Sequence, residues 1–496
     1  MNKPKKAYVR IFAALLLVCI AAQFATSCAD TSTGKAASET SASVTGDGSE
    51  STDRLYPDVP VVDFDGYIFR ALYWYVSGWD WRRSKDIVAE EGSGDVIQDA
   101  VYKRNLTISE KYNIKFELDE VDEGSLNNRL RQNIMAGDDV YTIVCQKQTS
   151  VADLITHGDL LNIFSIPYVD LDKPWWDKNS INDYSIAGRL YLVASDITIN
   201  DKDGTAAMAF NKQAAIDHNL PNLYDMVRAG TWTVENFYNT YKDVASDLNG
   251  DGKMDENDFW GVIGGRDVLT SFFSGAGARI VDKDDNDTPY ISVMSDRNAA
   301  ILERLYYLTT ETNVFYHHHI TGIGDAEFQD LFENGHGLYH WIRFDSISDM
   351  RASETDFGVL PIPKWEETQD RYYSIVSIYI SSLTSVPIST QDVERTGILL
   401  EALAAESKYT LIPAYYEVAL KTKYARDDES AEMLDIIINN RIYDLGEMLN
   451  PGGLRDFVLN LSMQKTFTFT SNYKKLEKAS VKALDKLLDM IDDLPQ

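Results

Sequence analysis

The chain has 496 residues, 44% of them hydrophobic and 11% aromatic, with 77 acidic against 47 basic side chains and a formal net charge of −30. So long a chain outgrows a single core and implies two domains or lobes. The acidic surplus excludes a nucleic-acid binder, which needs basic patches for phosphate contacts, and three cysteines exclude a disulfide scaffold.

Lys3, Lys5, Lys6 and Arg10 form a basic start, followed by an apolar run over residues 11–22. That run is shorter than the ~20 residues of an ordinary membrane span. Small residues Ala25, Thr26 and Ser27 come next, then Cys28. The layout reads as a secretory signal over residues 1–27. Its ending resembles a bacterial lipobox, in which the cysteine is lipidated and the peptide before it removed, with Ala25 where leucine is usual. An ordinary secretory signal with an incidental cysteine is the alternative. Residues 30–53 hold no aromatic side chain and abound in Ser, Thr, Gly, Ala and Asp. Such a stretch cannot offset its ordering entropy by apolar burial, so residues 28–56 read as a lipidated cysteine and a flexible tether. The expected location is the outer face of a cell membrane, with a lipid on Cys28 as the mooring.

The body begins near Tyr56. Residues 67–75 alternate and are rich in aromatics, the mark of a strand. A loop at Gly78, Trp79, Asp80 and Trp81 follows. The spacing of Val96, Ala100, Val101, Asn105 and Ile108 predicts a helix over 95–112, then come a strand at 113–117, a helix over 126–135 and a strand at 140–145. This β-α-β-α-β order implies an α/β lobe with a largely parallel sheet. Cys145 is the one cysteine beyond residue 28, so the body forms no intrachain disulfide, and its setting is that of a small buried hydrophobe. Further strands are expected at 188–194, 206–210 and 259–264. Thr233 is placed to N-cap a helix with Glu235 in its first turn. Helices near 296–310 and 325–334, a strand at 337–343, and a β-branched and aromatic run at 371–380 precede a mainly helical region from about 392. No repeat of fixed period is visible, which argues against a solenoid.

One motif carries metal chemistry. Asp247, Asn249, Asp251, Asp255 and Asp258 fall at positions 1, 3, 5, 9 and 12 of a loop, with the carbonyl of Lys253 at 7 and Gly252 at 6. That is calcium-loop spacing, because calcium needs six to eight oxygens. Asp replaces the longer Glu at position 12, and a strand rather than a second helix follows. The expectation is a lone structural Ca2+ loop, and the alternative is an acidic turn that binds nothing. Residues 282–287 are also acidic but lack the spacing and read as a hairpin turn. His317, His318 and His319 are consecutive, and His336 and His340 are four apart. Three adjacent histidines cannot converge on one zinc ion, so these read as loop and strand-surface residues.

The chain holds no nucleophile elbow, phosphate-binding glycine loop, dinucleotide fingerprint or His-Glu-x-x-His. No carboxylate pair stands out as glycosidase-like. Nine Trp and 28 Tyr are more telling. Aromatic faces stack on the C–H faces of sugar rings while polar neighbours satisfy hydroxyls. Trp74, Trp79, Trp81, Trp341 and Trp365 lie in or beside predicted loops, though each one alone is more often a core residue than a ligand platform. Trp175 and Trp176 read as a packing anchor.

Phe332, Gly335 and Tyr339 resemble the Phe-x-x-Gly-x-x-x-Met segment of family 1 extracellular solute-binding proteins of ABC importers, with Tyr339 in place of methionine. Phe357, Gly358, Pro361 and Pro363 are similar to that family's Tyr-Gly-Val-x-Pro-x-Pro. Residues 135–139, Phe210-Asn211-Lys212, residues 230–233 and the calcium-type loop fit in order, over roughly residues 60–460. The resemblance implies a two-lobed, periplasmic-binding-protein-like α/β clamshell of type II with a helical C-terminal region. Lobe 1 would hold residues 57–192 and 374–420, and lobe 2 residues 193–373 and 421–496, with crossings near 190–196, 370–376 and 420–430. Family sites map onto Trp79, Asp80 and Trp81, onto Gln146, onto Arg266 and Asp267, onto Arg343, Phe344 and Asp345, and onto Tyr373. Trp341 falls inside the strand and divides between core and site.

The resemblance thus implies a non-catalytic, monomeric receptor on a Gram-positive cell. It would capture a carbohydrate, an oligosaccharide in the first place, and pass it to ABC permease subunits. A secreted carbohydrate-active enzyme and a cell-surface sugar sensor without a permease are the alternatives.

Overall fold

A computed structural model describes residues 54–78, 83–350, 353–424 and 427–494. The signal, Cys28, most of the tether, and the loop residues Trp79, Asp80 and Trp81 lie outside the described residues.

Two sheets organise the body. In the first, β1 (Tyr67–Tyr75) is central, flanked by parallel β2 (Ile114–Asp122) and β3 (Ile143–Cys145). Phe69, Ala71, Leu72, Tyr73 and Trp74 are at most 1% exposed, as suits a parallel strand covered on both faces. Helix α1 (Val96–Tyr112) makes the first crossover. Asp95 caps it by accepting the amides of Ile97 and Gln98, and Asn113 ends it in the left-handed region at φ 50°. Helix α2 (Leu126–Ala136) makes the second crossover and stops at Gly137, φ 72°. Helix α3 (Gln148–Thr156) follows β3. Cys145 is fully buried, and burial pushes its thiol far above the ordinary range, so it is an inert core residue.

The second sheet has the order β10-β4-β9-β5-β8. An interior member, β4 (Ala206–Asn211), is buried along its whole length. Thr233 caps α4 (Val234–Tyr241), as its spacing requires. The sheet continues with β5 (Trp260–Gly264), which leads into α5 (Arg266–Gly275). Acidic residues 282–287 turn the antiparallel hairpin β6 (Val281–Lys283) to β7 (Pro289–Ile291), and α6 (Asp296–Thr309) follows. Strands β8 (Phe315–His317), β9 (Gly337–Arg343) and β10 (Phe357–Leu360) complete the sheet, with β4 antiparallel to both of its neighbours. An aromatic core lies beneath it. Phe237 packs 4.9 Å from Tyr339 and 4.8 Å from Tyr241 between ring centroids, and the Trp232 indole donates to the Pro361 carbonyl at 2.9 Å.

The segment expected as a strand at 188–194 makes only isolated bridges, at Arg189 and Val193. Its amides find single partners instead of a ladder. Leu190 donates to Asn162 Oδ1, Val193 to the Thr384 carbonyl and Ala194 to Ser180 Oγ, each at 3.0 Å. Apolar composition reports that the run is buried; it does not report which acceptors surround it.

Residues 199–205 run from the first sheet toward the second. Ile199 still donates to Asp86 of the first lobe at 2.8 Å, whereas Thr205 accepts from Phe344 of the second at 3.1 Å. Thr205 bridges Val376, and β11 (Ser374–Ile375) pairs with β12 (Arg441–Ile442), so outgoing and returning segments lie side by side. Helix α7 (Val393–Tyr409) packs on α1, and α8 (Asp428–Asn439) packs on β10. The C-terminal helix α9 (Phe469–Asp492) touches α3 of the first lobe as well as α6 and β7. It thus packs against elements of both lobes.

Candidate ligand-binding cleft

A cavity of about 840 Å³ opens between the lobes. Lys85 and Lys147 reach it from the first lobe; Arg266, Asp267, Trp341, Arg343, Phe344 and Asp345 from the second; Asn200, Asp203, Ser377, Tyr379 and Tyr415 from the connecting segments.

Local chemistry explains each position. Gly265 precedes α5, and a Cβ there would lie 2.5 Å from His318 Nε2 and 2.6 Å from His319 Nδ1. Glycine therefore lets both imidazoles close onto the start of α5, where Arg266 and Asp267 enter the cleft. Arg266 Nη1 is held by Asn460 Oδ1 at 3.1 Å. Along β9, alternation puts Tyr339, Trp341 and Arg343 on one face. Tyr339 joins the aromatic core, and Trp341 sits at its rim, 9% exposed, with Nε1 donating to Ser271 Oγ at 3.0 Å. Arg343 lies 5.8 Å from the Trp341 ring and donates twice to Asp345, each at 3.1 Å. The result is an indole edge beside an oriented guanidinium–carboxylate pair.

At the floor, Tyr415 donates to Asp203 at 2.9 Å. Burial pushes the Asp203 carboxyl up to about 7, with Lys85 pulling it back and Asp345 adding to the rise. Lys147 is paired with Glu123 at 2.5 Å and lies 5.5 Å from the Trp74 ring.

Six of the expected site residues therefore meet in the cleft: Arg266, Asp267, Trp341, Arg343, Phe344 and Asp345. Gln146 does not line it. Its Nε2 donates to Asn127 at 2.6 Å, its Oε1 accepts the Lys147 amide at 2.7 Å, and it is 1% exposed. Just past the strand end, side chains still alternate, so the next residue, Lys147, faces the cleft. Tyr373 lies outside it too, donating to Asp370 at 3.1 Å between the guanidinium groups of Arg371 and Arg279. The returning segment contributes Ser377 and Tyr379 instead. Tyr379 stood in the aromatic run at 371–380 and could have been singled out. Asp203 and Tyr415 carried no local signal.

The histidines differ from the surface role expected of them. His317 and His318 are buried, and His340 is 2% exposed. His318 stacks on Phe328 at 4.1 Å, and His340 meets Phe328 and Phe332 at 4.7 and 5.4 Å. Burial pushes both His317 and His340 down to about 4.

The calcium-type loop is closed by its own amides. Asp247 accepts from Gly250 and Gly252 at 2.6 and 2.8 Å, and Asp258, fully buried, accepts from Leu248 and Asp255 at 2.9 and 2.7 Å. Asn249 and Asp251 accept from Asp251 and Lys253, at 2.9 and 2.8 Å. Gly250 and Gly252 sit at φ 74° and 80°, where L side chains are strained. Among the described residues, no three His, Cys, Asp or Glu side chains are placed to hold a metal ion.

No family model matches the chain, and no curated protein matches it. Solved structures do. A sugar transporter from Rhizobium etli, in an open conformation, is similar with a TM-score of 0.55 at 14% identity, over 87% of this chain and 100% of the other. A cyclo/maltodextrin-binding protein complexed with maltotetraose gives 0.53 at 14% identity, over 87% and 98%. A family 1 extracellular solute-binding protein from Bifidobacterium longum subsp. infantis gives 0.51 at 13% identity, over 86% and 100%. The chain has the two-lobed fold of these binding proteins. At such identities the likeness is one of fold, and the ligand has to be argued from the chemistry of the cleft.

Proposed function

We propose that this chain is a lipid-anchored extracellular receptor that captures an oligosaccharide between its lobes and delivers it to an ABC permease. The observation that carries this reading is the interlobe cleft itself. It joins aromatic surface from Trp341, Phe344, Tyr379 and Tyr415 to polar groups at Asn200, Asp203, Arg343 and Asp345, and its volume falls in the ~300–1,000 Å³ range of ligand sites. Sugars need both, because each ring offers a C–H face and a rim of hydroxyls. Hinge closure about the paired connecting segments would complete the site. Similarity in fold to a protein complexed with maltotetraose supports a glycan of several rings.

Calorimetry of the mature chain against a panel of neutral oligosaccharides tests this, with micromolar or tighter binding expected for at least one; binding to none overturns it. The raised Asp203 carboxyl in the cleft also suits a general acid. Incubating bound glycans should therefore return them intact. Turnover that Asp203→Asn abolishes would replace the receptor reading with an enzyme.

Anchoring belongs to the same proposal, since a receptor free to diffuse is lost from a Gram-positive cell. Metabolic labelling with a fatty acid should mark the wild type and not Cys28→Ala, and equal labelling of both would refute the anchor. A structural calcium ion in the loop at 247–258 is also proposed, bound by oxygens of Asp247, Asn249, Asp251, Lys253, Asp255 and Asp258. The left-handed glycines already bend the loop as such a site requires. Added calcium should raise the melting temperature and chelator should lower it, and coincident melting curves would sink the idea.

A further inference from the structure

We propose that a second cavity, at the hinge, is a separate binding site for a neutral polyhydroxylated molecule of one or two sugar rings, and that its occupancy biases the angle between the lobes. The cavity measures about 430 Å³, half the size of the cleft. Its wall is drawn from the connecting segments at 195–202, 408–416 and 438–441, with residues 174–179 behind them.

The charges at this cavity cancel. Arg441 pairs with Asp177 at 2.5 Å and Asp201 at 3.2 Å, Lys202 with Asp201 at 3.3 Å, and Lys408 with Asp196 at 3.7 Å. Lys178, at the edge, pairs with Asp172. Three inner cations against three carboxylates disfavour an ion as occupant. The hydrogen bonds, by contrast, are incomplete. Arg441 Nε and Asp196 Oδ2 are buried without a hydrogen-bond partner, and the Arg441 side chain is only 8% exposed. Beside these pairs the wall carries the Asn179 and Asn439 amides and the Tyr415 and Tyr416 hydroxyls, neutral groups that both donate and accept and so match the hydroxyls of a neutral molecule. Trp176, Tyr415, Tyr416, Ile412 and Ile438 supply apolar surface for the C–H faces of such a molecule.

Coupling follows from position. Tyr415 lines both cavities and donates to Asp203 in the cleft. The wall is built from segments that connect the two lobes, so a change in lobe angle would change the shape of the cavity. A molecule that fits one angle better shifts the population toward it. The inference holds whatever the cleft binds.

Hydrogen–deuterium exchange of the full mature chain with millimolar D-glucose, myo-inositol or sucrose tests the site. At least one probe should slow exchange severalfold in peptides covering 195–202 and 438–442. The protection should persist in the cleft variant Arg343→Ala and vanish in Ile438→Trp, which fills the cavity. Asn439→Trp, at an exposed position on the rim, gives the same reading should Ile438→Trp not fold. No protection with any probe would leave a cavity that holds water only and overturns the site. Protection that disappears in Arg343→Ala belongs to the cleft and overturns it as well. Small-angle scattering reads the lobe angle. A probe-dependent change in radius of gyration, absent in Ile438→Trp, is expected, and protection without such a change would overturn the coupling.

Discussion

Replacing Trp341 with alanine is expected to weaken capture of the preferred oligosaccharide by about 30- to 200-fold, a loss of about 2–3 kcal/mol. The indole is preorganised. Its Nε1 is fixed by Ser271, its body leans on the core, and Arg343 stands 5.8 Å from the ring beside Asp345. Little side-chain entropy is then lost on binding, so most of the stacking gain reaches the affinity. Trp341→Phe should recover part of the loss, because a smaller face remains. At 9% exposure the residue also carries packing, and the alanine variant should lose about 3–5 kcal/mol of stability. Calorimetric titration well below the lowered melting temperature separates the two effects. An affinity within about threefold of the wild type would assign the ring to the core alone.

Thermal stability is expected to fall by several degrees from about pH 6.5 to about pH 8.5. Burial pushes Glu401 up to about 7, against the pull of the Trp176 indole, the Asp170 amide and the Trp175 indole. Asp203 stands at about 7, raised chiefly by burial. Glu447 is raised by burial and then by the Asp444 carboxylate beside it. Each folded pKa lies above the unfolded one, so the folded chain holds more protons across this window. Stability present at lower pH is lost as pH rises through the folded values, by about 2–3 kcal/mol in all. His317 and His340 act in the opposite direction, but elsewhere. Both are lowered to about 4, so their contribution is lost only as pH falls below the ordinary histidine value of 6.5. Above it they are neutral in both states and offset nothing. Calorimetric scans across pH check this: Glu447→Gln should flatten the decline, and a melting temperature that stays level or rises would refute the assignment.

Elements set by short-range chemistry were legible before any coordinates. The strand at 67–75, the helix capped by Asp95, the helix capped by Thr233 and the hairpin turned by 282–287 all appear where local patterns place them. The caps and the turn depend on partners a few residues away, such as the Asn236 amide on the Thr233 hydroxyl, and the strand shows in its own alternation. The misreadings share a different cause. Residues 188–194 have the composition of a strand, but their amides end on Asn162, Ser180 and Thr384. Gln146 was misplaced by one residue because a motif marks a strand end without fixing which side chain turns outward. The histidines were read as exposed because hydrophilic character is no guide to burial once Phe328 and Phe332 stack on the rings.

By itself the sequence determined most of the longer helices and strands, and the cleft residues at or just past strand ends in the second lobe, Arg266, Asp267, Arg343, Phe344 and Asp345. Caps, alternation and turns are decided by neighbours along the chain, and strand ends of an α/β sheet face the crevice. Only the tertiary structure decided the rest of the site. Asp203 and Tyr415 are 212 positions apart and meet at the floor of the cleft. The hinge cavity exists because connecting segments from three parts of the chain run together. The rise of the Asp203 carboxyl belongs to the same class, since desolvation is imposed by everything packed around a group and not by the residues beside it in the chain.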